Sequence, residues 1–212
     1  MPQLAALVEL VDRALPFVTL TMESSPATTW VADITAQTGA GQDPLATWRR
    51  ALAARQGSEE RPHVAAAFVL QWWCEVAATP LAYAAELASV VLLPSPAGLG
   101  FELAPGLHPA RLVLHPGHVA VDEPADRSRK AALEASSAAY REVVSEVVRD
   151  YAPEVKMSSR QRWGVVDDVW RLAAARAAGA AAPRRRSCCF IVALPGMRPC
   201  ATCPGQKVSR GW

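Results

Sequence analysis

Four of the chain's five cysteines fall within sixteen positions near its C-terminal end: Cys188 and Cys189 side by side, then Cys200 and Cys203. Thiolates are soft ligands, and four in so short a span point to a metal more readily than to disulfides. Three chemistries fit. Four thiolates hold a [2Fe–2S] or [4Fe–4S] cluster. Four also hold structural zinc in a tetrahedron. The third is a disulfide pair or unligated thiols. Structural zinc generally uses two Cys-x-x-Cys knuckles, or one knuckle with histidines, and here only Cys200-Ala201-Thr202-Cys203 is a knuckle. Adjacent side chains on an extended backbone point to opposite faces. Cys188 and Cys189 therefore chelate one ion only with an unusual local backbone, and reach different parts of a two-iron cluster more easily. The spacing matches neither the bacterial nor the plant ferredoxin run, so spacing alone leaves iron–sulfur, zinc and free thiols open.

Charge adds a second observation. Residues 183–212 contain Arg184, Arg185, Arg186, Arg198, Lys207 and Arg210 and no acid, a local charge of +6. The chain total is +2, which leaves about −4 for residues 1–182. Four thiolates, two ferric ions and two sulfides sum to a dianion. Basic neighbours would offset that charge, raise the reduction potential and attract an anionic acceptor or an acidic electron donor. A solubilising basic tail has the same composition. Arg184 to Arg186 is too short a run, without interleaved aromatics, to argue for nucleic acid.

The run Ser187-Cys188-Cys189-Phe190-Ile191-Val192-Ala193-Leu194-Pro195-Gly196-Met197-Arg198-Pro199-Cys200-Ala201-Thr202-Cys203-Pro204 resembles the C-terminal motif of the FhuF-like ferric-siderophore reductases. The resemblance covers the last thirty residues. It implies that Cys188, Cys189, Cys200 and Cys203 bind a [2Fe–2S] cluster, and that one electron passes from it to siderophore-bound Fe(III). Arg185, Arg186, Arg198 and Lys207 are then the residues expected to meet the ferric siderophore. Nothing in the sequence suggests a flavin or nicotinamide site, so the electron is expected from a separate donor such as a ferredoxin or a small reductant. The rival readings are a non-enzymatic protein whose four clustered cysteines form a structural zinc site, and an iron–sulfur carrier or sensor with another acceptor.

The elements that must position the cysteines follow from pattern. Leu4, Leu7, Val8, Val11 and Leu15 predict an amphipathic helix over 3–15. Residues 17–44 are mixed, and Gly39-Ala40-Gly41 lacks the third glycine of a dinucleotide loop and reads as a turn. Asp43-Pro44 starts a helix over 45–55, closed by Gly57-Ser58. The most apolar stretch, 63–93, predicts two helices, 63–78 and 81–93, or one helix broken near Pro80. It carries Trp72 and Trp73, read as core and rim packing, and Cys74, read as a buried small hydrophobe. Between 94 and 124 prolines and glycines frame strands at 100–103, 111–115 and 118–122, with His115-Pro116-Gly117-His118 as the hairpin turn between the last two. His108, His115 and His118 lack the carboxylate or cysteine that would complete a metal site. Helices follow over 127–151 and 159–179. In the second, Asp167-Asp168 reads as a solvated face, and Arg160, Arg162, Arg171 and Arg176 as an exterior that could extend the basic surface. Residues 189–194 read as a short strand, and Pro195-Gly196 turns the chain back toward Cys200.

The expected fold is thus α+β: mainly helical, with a small central antiparallel sheet and a C-terminal cysteine-ligated cluster motif. Residues 1–182 form the scaffold that shapes a substrate pocket, and 183–212 the cluster-binding motif packed on the same domain. No run of eighteen apolar residues lacks a charge or proline, so no membrane span is expected. The N-terminus has no basic n-region, and Glu9 and Asp12 interrupt its apolar stretch, unlike a signal peptide. The expected compartment is the reducing cytoplasm.

Overall fold

A computed structural model of the chain describes residues 2–123 and 126–205. The fold is α+β, with six α-helices and two small sheets among the described residues. In chain order they are α1 (Pro2–Ala14), β1 (Thr19–Thr21), β2 (Thr29–Trp30), α2 (Val31–Gly39), α3 (Ala46–Gln56), α4 (Pro62–Ala88), β3 (Val91–Pro94), β4 (Leu99–Leu103), β5 (Pro109–Leu114), β6 (Val119–Asp122), α5 (Arg129–Asp150) and α6 (Ser159–Ala177).

Helix α4 is the axis of the core. Pro62 begins it, where a fixed φ and a missing N–H cost nothing. It then runs unbroken through Pro80, where the sequence predicted a break. An internal proline costs about 3 kcal/mol. Here Val76 to Ala78 and Pro80 to Ala85 are all buried, so packing against one core holds both halves in line. By length and composition α4 could cross a membrane, but 72% of its most apolar window is buried inside the protein, as in a core helix. It ends at Ser89, a non-glycine residue at φ 57°, where the N–H groups of Ser89 and Val90 close on the carbonyls of Ala85 and Ala84. This left-handed residue turns the chain out of the helix, so Val91 to Leu93 form a strand rather than the helix end the sequence suggested.

Helices α1, α3, α5 and α6 pack around α4, and the sheet of β4 and β5 covers what remains. That sheet has the order β1-β5-β4-β2 and is mixed rather than antiparallel, because β1 runs parallel to β5 (Thr19 opposite Arg111, Thr21 opposite Val113). The expected β5–β6 hairpin does not form. Both edges of β5 are already taken, by β1 and β4, so β6 has no place beside it. Residues Pro116–His118 instead make a 3₁₀ turn, with Gly117 N–H donating to His115 Nδ1 at 3.2 Å, and deliver β6 to β3 as a separate antiparallel ribbon. The short helix α2 was not expected in the mixed region. Its threonines satisfy their hydroxyls on its own carbonyls, Thr35 on Val31 and Thr38 on Ile34. Ser128 and Ser158 cap α5 and α6 by accepting from the N–H groups of Ala131 and Gln161.

Candidate metal centre

Helix α6 builds the floor on which the cysteine segment lies. Asp168 stands on its buried face, at helical spacing from Val165 and Leu172, and is 4% exposed. Its carboxylate accepts from the backbone N–H of Arg186 (2.9 and 2.8 Å), the N–H of Ser187 (2.7 Å) and the Ser187 hydroxyl (2.7 Å). Arg171 donates to it at 3.3 Å, and Arg185 Nε lies 3.9 Å away. The sequence placed Asp168 on a solvated face, and the structure overturns that. A carboxylate is tolerated at this depth because donors converge on both of its oxygens. Asp167, one residue earlier, does turn outward and pairs with Arg141. One further turn toward the helix start, Gly164 leaves room for Ser187, whose Cβ would sit 3.4 Å from an added methyl.

Two further contacts hold the vicinal pair. Gln161 Nε2 donates to the Cys188 carbonyl at 2.7 Å. Phe190 packs edge-on against His63 at the start of α4, with centroids 5.2 Å apart and planes at 88°. Phe190 itself has φ 57°, a left-handed conformation that is strained for an aromatic residue. The expected strand over 189–194 is therefore absent: the chain turns at Phe190 and continues as one 3₁₀ turn, Ile191–Ala193. The turn follows the vicinal pair and redirects the chain that leaves it. Phe190 N–H also donates to Cys188 Sγ at 3.3 Å.

The second half returns as its breakers predict. Pro195 and Gly196 (φ 75°) turn the chain, and Arg185 N–H donates to the Thr202 carbonyl at 2.9 Å, tying the two halves together. Cys203 N–H closes the knuckle on the Cys200 carbonyl at 2.9 Å. The Cys200 thiol is raised by burial first and then by Cys189 beside it. Cys189 and Cys203 are buried, while Cys188 and Cys200 are half-exposed. No three His, Cys, Asp or Glu side chains among the described residues stand together as a metal-binding group. The structure thus brings Cys189 beside Cys200 without gathering a third of the predicted ligands to them among the described residues.

The basic residues divide into two kinds. Arg185 turns inward: Nη1 donates to Gln71 Oε1 on α4 at 2.6 Å, and Nη2 reaches Ser187 Oγ at 3.4 Å. Its Nε is buried without a hydrogen bond among the described residues. It is therefore built into the support rather than displayed to a substrate, as the sequence expected. Arg184 donates to the Pro204 carbonyl. Arg186 and Arg198 are exposed. Lys207 and Arg210 lie outside the described residues. The donor set fits a thiolate-bound cluster in its chemistry: four sulfurs on two tethered segments, an N–H aimed at one of them, an orphaned buried guanidinium N–H nearby, and no acid in 183–205.

Other candidates stand apart. Cys74 is fully buried, and burial pushes its thiol up to about 12, so it is an inert core thiol. His115 and His118 face each other at 4.9 Å between rings, whereas His108 lies by Trp72 at 6.3 Å. No protein-family model matches the chain, and no curated protein or solved structure is significantly similar to it.

Proposed function

We propose that the chain is a cytoplasmic ferric-siderophore reductase in which Cys188, Cys189, Cys200 and Cys203 hold a [2Fe–2S] cluster. One observation carries the reading: the Cys-Cys-x10-Cys-x2-Cys run is folded back on itself, with the Arg185 N–H bonded to the Thr202 carbonyl and Cys189 brought beside Cys200. Four-sulfur ligation requires the four thiols to draw closer than they stand, since no three of them are grouped among the described residues. When bound, such a cluster supplies a single reversibly held electron near the protein surface.

The chain's own residues do the rest. Asp168, Gln161 and His63 fix the segment that carries the vicinal pair. Phe190 N–H and the inward Arg185 offset negative charge on the sulfurs. Arg186 and Arg198, exposed beside the cysteines, draw in an anionic chelate. In the net reaction a ferredoxin or small reductant loses one electron and chelated Fe(III) gains it. No bond to the siderophore is made. Its hard oxygen ligands hold Fe(II) far less tightly, and the metal leaves. A reaction of this kind needs no acid–base pair or nucleophile.

The test is an absorption spectrum of anaerobically purified protein, with iron, sulfide and zinc assayed on the same sample. The expected result is two irons and two sulfides per chain, with visible bands that bleach on reduction and return on adding a ferric siderophore. One zinc and no sulfide after anaerobic reconstitution would overturn the proposal in favour of a zinc clasp. A cluster that ferric siderophores do not reoxidise would leave a carrier or sensor.

A further inference from the structure

Gln71, Glu75, Thr79 and Tyr83 recur every fourth residue along α4. A helix otherwise made largely of alanine, valine and leucine thus carries an amide, a carboxyl, a hydroxyl and a phenol in one line. Polar groups in a core helix are costly unless something polar meets them. These four line a pocket of about 310 Å³, closed by the α1–β1 connection, β5 and the end of α6. The volume suits a small organic molecule.

Neither charge inside it forms a close ion pair among the described residues. Glu75 Oε1 takes its hydrogen bond from the Gln71 amide at 3.0 Å rather than from a cation. Gln71 cannot flip away, because Arg185 holds its oxygen at 2.6 Å. Burial raises the Glu75 carboxyl, with Arg176, the largest opposing cation, drawing it down. Arg176 is exposed on the same wall. Trp72 and Tyr83 supply aromatic surface, and Phe17 stands 81% exposed on the connection that closes the pocket.

We propose that this pocket binds a small zwitterion: an ammonium that meets Glu75, a carboxylate that meets Arg176, and an apolar or aromatic body against Trp72 and Tyr83. A half-buried carboxylate beside aromatic rings favours an ammonium. The nearby guanidinium disfavours a bare cation and takes a carboxylate instead. A neutral ligand would cover Glu75 and Arg176 without pairing either charge. The two charges of this site come from α4 and α6, and the cysteine segment reaches it only through the Arg185 bond to Gln71, so the proposal does not rest on what the cysteines bind.

The test titrates the full chain with two matched series: L-phenylalanine, 2-phenylethylamine and 3-phenylpropanoate, then 6-aminohexanoate, hexylamine and hexanoate. Binding is read by amide chemical shifts and tryptophan fluorescence. In at least one series the zwitterion is expected to bind below about 1 mM, with each singly charged analogue at least about tenfold weaker. Glu75→Gln should abolish the advantage over the carboxylate analogue, and Arg176→Gln the advantage over the amine. Thermal melts of both variants show that they remain folded. No binding in either series up to about 10 mM, equal affinities within a series, or advantages that survive both substitutions would overturn the proposal.

Discussion

Asp168 sets the position of the vicinal cysteines, and Asp168→Asn measures how firmly. The substitution keeps the shape and removes the charge. The carboxylate uses both oxygens, Oδ1 toward Arg171 and Arg186, Oδ2 toward Arg186, Ser187 N–H and the Ser187 hydroxyl. An amide has one oxygen, so either orientation puts its NH₂ against a donor. A hydrogen bond to a charged group contributes about 1.5–3 kcal/mol, and stripping a partner from a buried charge costs about 3–5 kcal/mol. The side chain is 2% exposed, so solvent screening does not soften this. A loss of about 3 kcal/mol is roughly a hundredfold in an equilibrium constant. The segment from 184 to 190 lies outside the main hydrophobic core, so the loss should appear as local opening rather than global unfolding. The assay is iodoacetamide labelling of metal-free, reduced protein with mapping by mass spectrometry. Cys189, 6% exposed, should label up to about a hundredfold faster in the variant by that same equilibrium. Cys74, fully buried with its thiol pushed up to about 12, reports global unfolding and should stay unlabelled. Unchanged labelling of Cys189, or Cys74 labelling in step with it, would refute the reasoning.

Three further outcomes follow. Arg186→Gln with Arg198→Gln should slow reduction of anionic ferric chelates, more at low salt than at about 0.5 M, where screening removes the attraction; Arg185→Gln should instead lower iron and sulfide retention, and equal salt dependence in all three proteins would contradict the division between inward and outward arginines. Ser89→Gly should stabilise the fold by about 0.5–1 kcal/mol, because glycine adopts the φ 57° of the α4 terminus without strain, raising Tm by about 2 °C; a lower Tm would mean that Ser89 contributes something besides the turn. Hydrogen bonds from Ser25 first and then Thr28 hold the Glu102 carboxyl below its ordinary range. That stabilisation is present above the unfolded carboxyl pKa of about 4.3 and is lost as pH falls through the lower folded value. Glu102→Gln should therefore flatten the dependence of Tm on pH on the acid side, and superimposable Tm profiles from about pH 2.5 to 7 would exclude this role.

Much of the helical frame could be read from the sequence because its signals are local. Apolar residues at helical spacing, Gly57 as a left-handed cap and serines before α5 and α6 each act within a few residues of themselves. What was hidden depends on partners far away in sequence. The β5–β6 hairpin has every local mark of a turn, yet β1, from the far end of the chain, occupies the edge that β6 would need. Pro80 is a helix breaker by chemistry, but burial on both sides overrides it. Asp168 looked solvated because adjacent acids on a helix usually are. The available signal was its spacing from Val165 and Leu172, which places it on the apolar face, together with the later run Arg184 to Arg186, whose backbone needed an acceptor.

The vicinal cysteines show why the distant contacts matter more than the motif. A Cys-Cys pair on extended backbone splays its sulfurs, and the left-handed Phe190 that follows costs about 1–2 kcal/mol. Left to itself, residues 184–194 would relax to an extended strand, the reading its sequence supports. Three groups from the scaffold oppose that: the edge-on contact of His63 with Phe190, contributing about 0.5–1.5 kcal/mol, the Gln161 bond to the Cys188 carbonyl, and the Asp168 carboxylate beneath Ser187. These contacts offset the strain at Phe190. On the proposed function the scaffold therefore does part of the ordering that binding would otherwise have to supply. A detached peptide spanning 184–205 lacks those three groups and should bind iron and sulfide far more weakly than the intact chain. Equal affinity in the two would show that the cysteine motif, and not the helices beneath it, makes the site.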